Sequence, residues 1–297
     1  MIAAIVTTYK PDAAFVSRFQ PLLKVCSAVI VSDNTPQGHF DEGALPQGFT
    51  LLASGGNVGI GRALNNGIAG AKQLGAGYVV LFDQDSTPSV DLVRNLQASL
   101  LRAQAVHGPR ICIGPTHVDD ATGHEQKGLR ARPLVGGDGV VQEDIVGATC
   151  LATSGMTLDI SALEAEDTFS TELFLDLVDF EWCWRLGAKG WRFARIDSVQ
   201  MKHRLGVAER RWMGLRFHVP APYRHYFQFR DTLRLLTRSY VPLYPKLRLA
   251  GVLPFKLLVY PFLLDRGAER LRWMLRGIID AFAQTSGIGA AESRLGR

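Results

Sequence analysis

Two carboxylates stand one residue apart where an apolar run ends, in Val79-Val80-Leu81-Phe82-Asp83-Gln84-Asp85-Ser86. A pair with this spacing can hold a divalent cation. Carboxylate oxygens suit hard ions such as Mg²⁺ or Mn²⁺, which take few protein ligands and complete their shell with phosphate oxygens. In open α/β sheets, ligands gather outside the carboxyl ends of the strands, so a carboxylate pair after a buried strand points to a nucleotide diphosphate. The same residues can also form an ordinary polar turn closed by Asp85, Ser86 and Pro88. Their place directly after the strand favours the first reading.

The elements that must position this pair follow from hydrophobic periodicity. Apolar runs alternate with helical patterns through the first half, which implies βαβ units and a mostly parallel sheet with strands near 2–7, 28–32, 49–53, 78–82 and 110–114. Between the third and fourth, Ile60, Ala63, Leu64, Ile68, Ala71 and Leu74 recur at helical spacing after a glycine-rich entry, and Gly75 stops the helix. Gly59-x-Gly61 is not a dinucleotide fingerprint, because Leu64 replaces the last glycine and the segment is not in the first βα turn. The small and β-branched residues of 144–156 predict a strand close enough to touch a ligand. Residues 174–186 read as an extended piece passing into a short helix that Gly187 or Gly190 ends, with Asp179 in its first turn. A further strand is expected over 191–196.

Composition narrows the class. With 297 residues, 47% apolar and 21% charged, the chain can build one large α/β domain plus an appendage. Its four cysteines show no C-x-x-C spacing, so neither disulfides nor zinc are expected. The start, Ile2-Ala3-Ala4-Ile5-Val6, is strand-like and lacks the basic and longer apolar regions of a secretory signal, which predicts a cytoplasmic protein. The formal charge of +5 hides an asymmetry: residues 1–201 carry 15 Lys/Arg against 22 Asp/Glu, and residues 202–297 carry 18 against 6. From about 222 the pattern is helical with interspersed arginines, and 250–264 is almost wholly apolar but short of the roughly 20 residues that span a bilayer. Basic amphipathic helices of this kind lie in the headgroup plane of an anionic membrane surface; a helical cover for the sheet is the bland alternative. No nucleic-acid-binding signature accompanies the arginines.

Five motifs then occur in a telling order: the strand ending Thr7-Thr8-Tyr9-Lys10-Pro11, Val31-Ser32-Asp33-Asn34, Asn57-Val58-Gly59, Asp83-Gln84-Asp85, and Asp179-Phe180-Glu181-Trp182-Cys183-Trp184-Arg185. Over residues 1–240 the chain resembles family 2 inverting glycosyltransferases with the GT-A fold, most of all the bacterial rhamnosyltransferase branch. The resemblance implies an α/β fold with a Rossmann-like nucleotide-binding sheet and flanking helices in a domain over 1–220. A basic, helical, membrane-associating segment over 221–297 would follow. It implies that Thr7, Tyr9 and Asp33 bind the nucleoside, that Asn57 and Gly59 meet the nucleotide or its phosphates, and that Asp83 contacts the ribose. Asp85 and His203 would hold Mg²⁺ or Mn²⁺. Asp179 matches the general base, and Glu181, Asp176 and Trp182 would support the acceptor.

The implied substrates are a nucleotide sugar, dTDP-rhamnose or a UDP-sugar, and a lipid-linked saccharide or glycolipid at the inner face of the cytoplasmic membrane. Bland readings compete at several positions: Asp33 as a turn residue, Asn57 as a helix cap, Asp179 as an N-cap, and Trp182 or Trp184 as core. The chain departs from processive polysaccharide synthases in lacking their Gln-x-x-Arg-Trp run and a multi-span region, which favours few additions per acceptor. A sugar nucleotidyltransferase would want a basic glycine-rich first loop, which Thr7-Thr8-Tyr9-Lys10-Pro11 is not. A non-catalytic scaffold has no need of Asp83, Asp85 and Asp179 together.

Overall fold

The computed structural model describes residues 1–40, 43–119, 132–135, 141–203, 209–212 and 215–283. These form two compact units, the first from 1–169 and 182–203, the second from 170–181 and the described residues from 209 onward. The second unit therefore includes a short segment from mid-chain, which a single cut at residue 220 does not separate.

The first unit is built on a nine-stranded sheet. Its strands are β1 Ile2–Thr8, β2 Val29–Asp33, β3 Phe49–Ala53, β4 Tyr78–Asp83, β5 Ile111–Asp119, β6 Arg132–Val135, β7 Val141–Gly147, β8 Thr157–Asp159 and β9 Arg192–His203, in spatial order β3-β2-β1-β4-β8-β5-β9-β7-β6. The β3-β2-β1-β4 half is parallel, as the alternating pattern predicts. The other half is mixed, because β8 runs antiparallel between β4 and β5, and β6 and β7 form an antiparallel ladder at the far edge.

All seven residues of β1 are buried, as expected of a central parallel strand covered on both faces. On one face lies the helix α2, Ile60–Gln73, whose inward residues include Ala63, Leu64, Gly67, Ile68, Gly70 and Ala71. The packing is close: a Cβ on Gly67 would sit 2.3 Å from Ile5 Cγ2. The helix α3, Val90–His107, starts at Ser89, whose Oγ accepts from Leu92 N at 3.0 Å. The short helix α1, Phe15–Phe19, adds Phe15 and Phe19 to the core beneath β1 and β4.

Two expectations are corrected. The strand expected near 144–156 ends at Gly147, and the chain then runs irregularly to β8. Near the end of that irregular stretch Gly155 has φ +84°, and a Cβ there would meet Pro115 at 2.6 Å. The strand expected over 191–196 instead continues to His203, pairing with β5 across a register shift after Pro115.

The helix α4, Val178–Ala188, begins in the 170–181 segment. The rest of the second unit contains the hairpin strands β10, Glu209–Trp212, and β11, Leu215–His218. Three helices follow: α5 Arg224–Leu236, α6 Leu243–Leu263 and α7 Gly267–Phe282. Their core is Phe229, Leu253, Tyr260, Leu264 and Met274. No helix among the described residues is long and apolar enough to cross a membrane.

Candidate functional site

Sheet register brings the sequence motifs of the first unit to one edge. Thr7 of β1 pairs with Ser32 of β2 on one side and Asp83 of β4 on the other, and Thr8 pairs with Asp33 one step further. Three parallel strands thus release their carboxyl ends side by side, the place where α/β sheets bind ligands. Thr7 is buried in this row, while Tyr9 just beyond it is 39% exposed.

Asp33 is 1% exposed and accepts four hydrogen bonds, three of them on Oδ1. Its Oδ1 accepts from Thr8 Oγ1 at 2.9 Å and from Thr35 N and Oγ1 at 3.2 and 2.7 Å, while Oδ2 accepts from His39 N at 3.1 Å. These bonds fold the chain after β2 into a fixed turn, so the turn role of Asp33 is fully realised and any nucleoside contact falls to Oδ2.

Asn57 is not the cap of α2. That position belongs to Gly59, whose φ of +82° suits glycine, and Asn57 Oδ1 instead accepts from Gly59 N at 3.2 Å. Asn34 Nδ2 donates to Gly59 O at 3.3 Å and Ser32 Oγ to Ala63 O at 2.8 Å, so the end of β2 holds the start of α2. No side chain caps the amides of this first turn. Uncapped helix N-termini favour anions.

Asp83 is half-buried and Asp85 exposed. Ser154 Oγ donates to Asp83 Oδ2 at 2.7 Å, accepts from Asp83 N at 3.2 Å and lies 2.9 Å from Ser86 Oγ. His117 Nε2 meets the Ser154 carbonyl at 2.8 Å. Among the described residues no three His, Cys, Asp or Glu side chains come together to hold a metal. Two carboxylates suffice for Mg²⁺ or Mn²⁺ when substrate phosphates supply the remaining oxygens, and the exposed Asp85 beside Asp83 fits that donor set. His203 ends β9, and its side chain lies outside the described residues.

The second unit carries the acidic residues of the later motif. Asp179 is half-buried in the first turn of α4, its Oδ1 accepting from Phe180 N at 2.9 Å. Leu177 just before the helix has φ +66°, a left-handed conformation costing a bulky residue about 1–3 kcal/mol. This turn swings the chain from Asp176 into the helix. Asp176 is ion-paired with Arg224 Nη2 at 2.5 Å, and Glu181 is buried, accepting from Tyr240 Oη at 2.9 Å.

Trp182 is a correction. Its side chain is 0% exposed, stacked on Phe169 at 4.5 Å between centroids, with Nε1 donating to Asp167 O at 2.9 Å. A buried indole with its polar atom satisfied belongs to the core and offers no wall to an acceptor.

Several residues given no role from sequence are part of this edge: Ser154 against Asp83, Thr35 against Asp33, and Gln84 and Arg18, which hold the turn between the carboxylates. Only Ser154 had a signal, since it falls in the small-residue segment 144–156.

No protein-family profile matches the chain. The dTDP-rhamnosyl transferase RfbF of Shigella flexneri is 27% identical over 256 residues, covering 83% of each protein. Among solved structures, S. aureus TarS 1–349 in complex with UDP aligns with a TM-score of 0.55 at 12% identity, covering 96% of this chain and 82% of that one. GalNAc-T7 with UDP, GalNAc and Mn²⁺ gives a TM-score of 0.53 at 11% identity over 85% of this chain; the match spans 54% of GalNAc-T7. At these identities the structural likeness establishes the fold, the mixed α/β architecture shared with GT-A glycosyltransferases.

Proposed function

We propose that this chain, a glycosyltransferase of the family 2 GT-A type, uses a divalent cation to move L-rhamnose from dTDP-rhamnose, with inversion, to a lipid-linked glycan or glycolipid. The observation that carries the reading is the convergence at one sheet edge of Thr7, Asp33 and Asp83 with the exposed Asp85, next to the uncapped start of α2. The likeness to a dTDP-rhamnosyl transferase supports the donor. A UDP-sugar is the second reading, supported by the UDP-GlcNAc bound to TarS, a structure that aligns with a TM-score of 0.54 at 12% identity.

In this reading Thr7, Tyr9 and Oδ2 of Asp33 face the nucleoside, Asp83 the ribose, and Asn57, Gly59 and the first turn of α2 the phosphates. Asp85, with His203, would hold Mg²⁺ or Mn²⁺, whose charge stabilises the departing diphosphate. Asp179 takes the proton of the acceptor hydroxyl as its oxygen attacks the anomeric carbon opposite the diphosphate. One displacement inverts the centre, and assistance of this kind contributes about 10²–10⁴-fold. Asp176 and Glu181 support the acceptor from their bonds to Arg224 and Tyr240.

The acceptor's lipid is matched by the outer face of α6. Tyr244, Leu247, Phe255, Leu258 and Phe262 lie three, eight, three and four residues apart, which keeps them on one side of a helix, and all are exposed, with Leu258 at 68% and Phe262 at 86%. Arg248 of α6, Arg266 just before α7, and Arg272 and Arg276 of α7 are exposed as well. An exposed apolar stripe in a basic helical unit suits the anionic inner face of the cytoplasmic membrane, lying in its interface.

Thermal melting in the presence of dTDP-rhamnose, other dTDP-sugars and UDP-sugars, each with Mg²⁺ or Mn²⁺, tests the assignment. A ligand at 100 times its Kd stabilises by about 2.7 kcal/mol. The expected pattern is a cation-dependent shift with dTDP-rhamnose. A shift only with UDP-sugars moves the donor to the second reading, and no shift with any nucleotide sugar removes the assignment.

A further inference from the structure

We infer that Gln84 and Arg18 are positioning residues for the donor: they lock the turn carrying Asp83 and Asp85 to the backbone of Tyr9, so that the nucleoside wall, the ribose contact and the cation ligand form one rigid piece. The inference rests on the reading of this sheet edge as the donor site. β1 and β4 pair as far as Thr7 and Asp83. At the next position, the Gln84 side chain takes the place of a ladder rung. Its Oε1 accepts from Tyr9 N at 2.6 Å and its Nε2 donates to Tyr9 O at 3.1 Å. A planar amide presents a donor and an acceptor along one edge, matching both main-chain groups of a single residue. A carboxylate has only acceptors and would set an oxygen against the Tyr9 carbonyl.

The main chain of Gln84 is held from another side. Arg18 Nη2 donates to Gln84 O at 2.9 Å, and Arg18 Nη1 is itself fixed by both oxygens of Asp12 at 2.8 and 3.0 Å. The wall continues into Lys10, whose N–H donates to Thr35 Oγ1 at 2.8 Å and whose φ of +48° turns the chain sharply. Thr35 also donates to Asp33. A chain of bonds therefore runs from the turn after β2, through Tyr9 and Lys10, to the residue between the two carboxylates.

This arrangement has a consequence for binding. Asp83 and Asp85 are like charges one residue apart at the rim of the sheet, and an unbraced turn relaxes to separate them. Holding them at fixed spacing from Tyr9 spares the ordering cost when a nucleoside diphosphate and its cation arrive together.

Calorimetric titration of wild type, Gln84→Glu, Arg18→Ala and Arg18→Lys with dTDP and with UDP in the presence of Mn²⁺ tests the clasp, alongside donor KM and kcat. Gln84→Glu is expected to weaken binding of the nucleotide bound by wild type about tenfold or more and to raise donor KM in proportion. kcat at saturating donor should stay within about threefold of wild type, because the clasp acts on donor capture and touches no reacting atom. Arg18→Ala should weaken binding similarly, and Arg18→Lys should recover most of it, since an ammonium can still donate to the Gln84 carbonyl. Undiminished nucleotide affinity in both Gln84→Glu and Arg18→Ala overturns the inference, as does a fall in kcat with KM unchanged. Should Gln84→Glu fail to fold, the Arg18 pair decides alone. If wild type binds neither dTDP nor UDP, it is the donor-site reading that has failed.

Discussion

Mild acid should loosen the helical unit through one buried imidazole. His225 of α5 is wholly buried, and its Nε2 lies 3.1 Å from Arg270 Nη1. Arginine can only donate, so Nε2 must be unprotonated and the ring neutral, with its proton on Nδ1. Burial first, then the positive charges of Lys256 and Arg270, push the imidazole down to about 3 from an ordinary 6.5. The unfolded chain therefore binds the extra proton between these values while the folded one does not. The stability that follows is complete above pH 6.5 and is lost progressively as pH falls towards 3. At pH 4.5, two units below the ordinary value and at about 1.36 kcal/mol per unit, the loss is on the order of 3 kcal/mol. Asp231, buried beside Arg230 and raised to about 6 chiefly by burial, acts with the opposite sign: its contribution is present in acid and fades as pH rises through 6. Comparing wild type with His225→Gln cancels that term, because Asp231 is present in both. Urea denaturation followed by far-ultraviolet circular dichroism at pH 7.5 and pH 4.5 reads the result. Wild type should lose on the order of 3 kcal/mol more than the variant on acidification; equal changes in the two proteins would refute the reasoning.

The remaining tests address the proposed chemistry. Asp85→Ala should abolish cation-dependent binding of dTDP in calorimetry, and undiminished binding would count against its role. Asp179→Asn should bind donor normally while turnover falls by about 10²–10⁴-fold; normal turnover would move the base to Asp176 or Glu181. The double variant Leu258→Glu, Phe262→Glu removes two side chains each worth about 1.5–3 kcal/mol when buried in an apolar phase. Binding to anionic vesicles in a sedimentation assay should drop at least tenfold, and unchanged sedimentation would reject α6 as the contact.

The parallel half of the sheet was legible because its signals are local. Apolar runs, a helix with small residues on one face, and glycines at its two ends lie within consecutive stretches of chain, and the observed β1 to β4 fall within one or two residues of the expected runs. The antiparallel insertions were not legible. β8 is three residues long and gains its identity from pairing between β4 and β5, a tertiary event that leaves no periodicity of its own. The same distinction runs through the candidate site. Asp83 and Asp85 announce themselves by spacing, but Gln84 differs from any other polar turn residue only through a bond to Tyr9, 75 positions away. Ser154 finds Asp83 at a comparable distance along the chain, 71 positions. Trp182, open from sequence to an acceptor or a core role, packs on Phe169, because a tryptophan beside acidic residues reads alike whether it faces a ligand or the core.

The helix α6 shows how far composition can mislead about faces. Its apolar run suggests a buried or interfacial helix, and periodicity cannot choose, since leucine and phenylalanine lie on every side and Pro254 and Pro261 fall inside it. The fold places two kinds of side chain on unexpected faces. Lys256 turns inward, donating to Gln228 Oε1 at 2.7 Å, and burial lowers its pKa. Phe262, Leu258 and Leu247 turn outward. In a helix serving only as a cover for other elements, this pattern forfeits hydrophobic burial twice: an ammonium loses water while large apolar side chains keep it. The arrangement becomes favourable once a non-aqueous phase meets the outer face, for then the apolar side chains are buried on binding and the lysine never enters the hydrocarbon. The inward lysine and the outward phenylalanine therefore bear on one proposal, that α6 lies in a membrane interface, and the vesicle assay on Leu258→Glu, Phe262→Glu tests it.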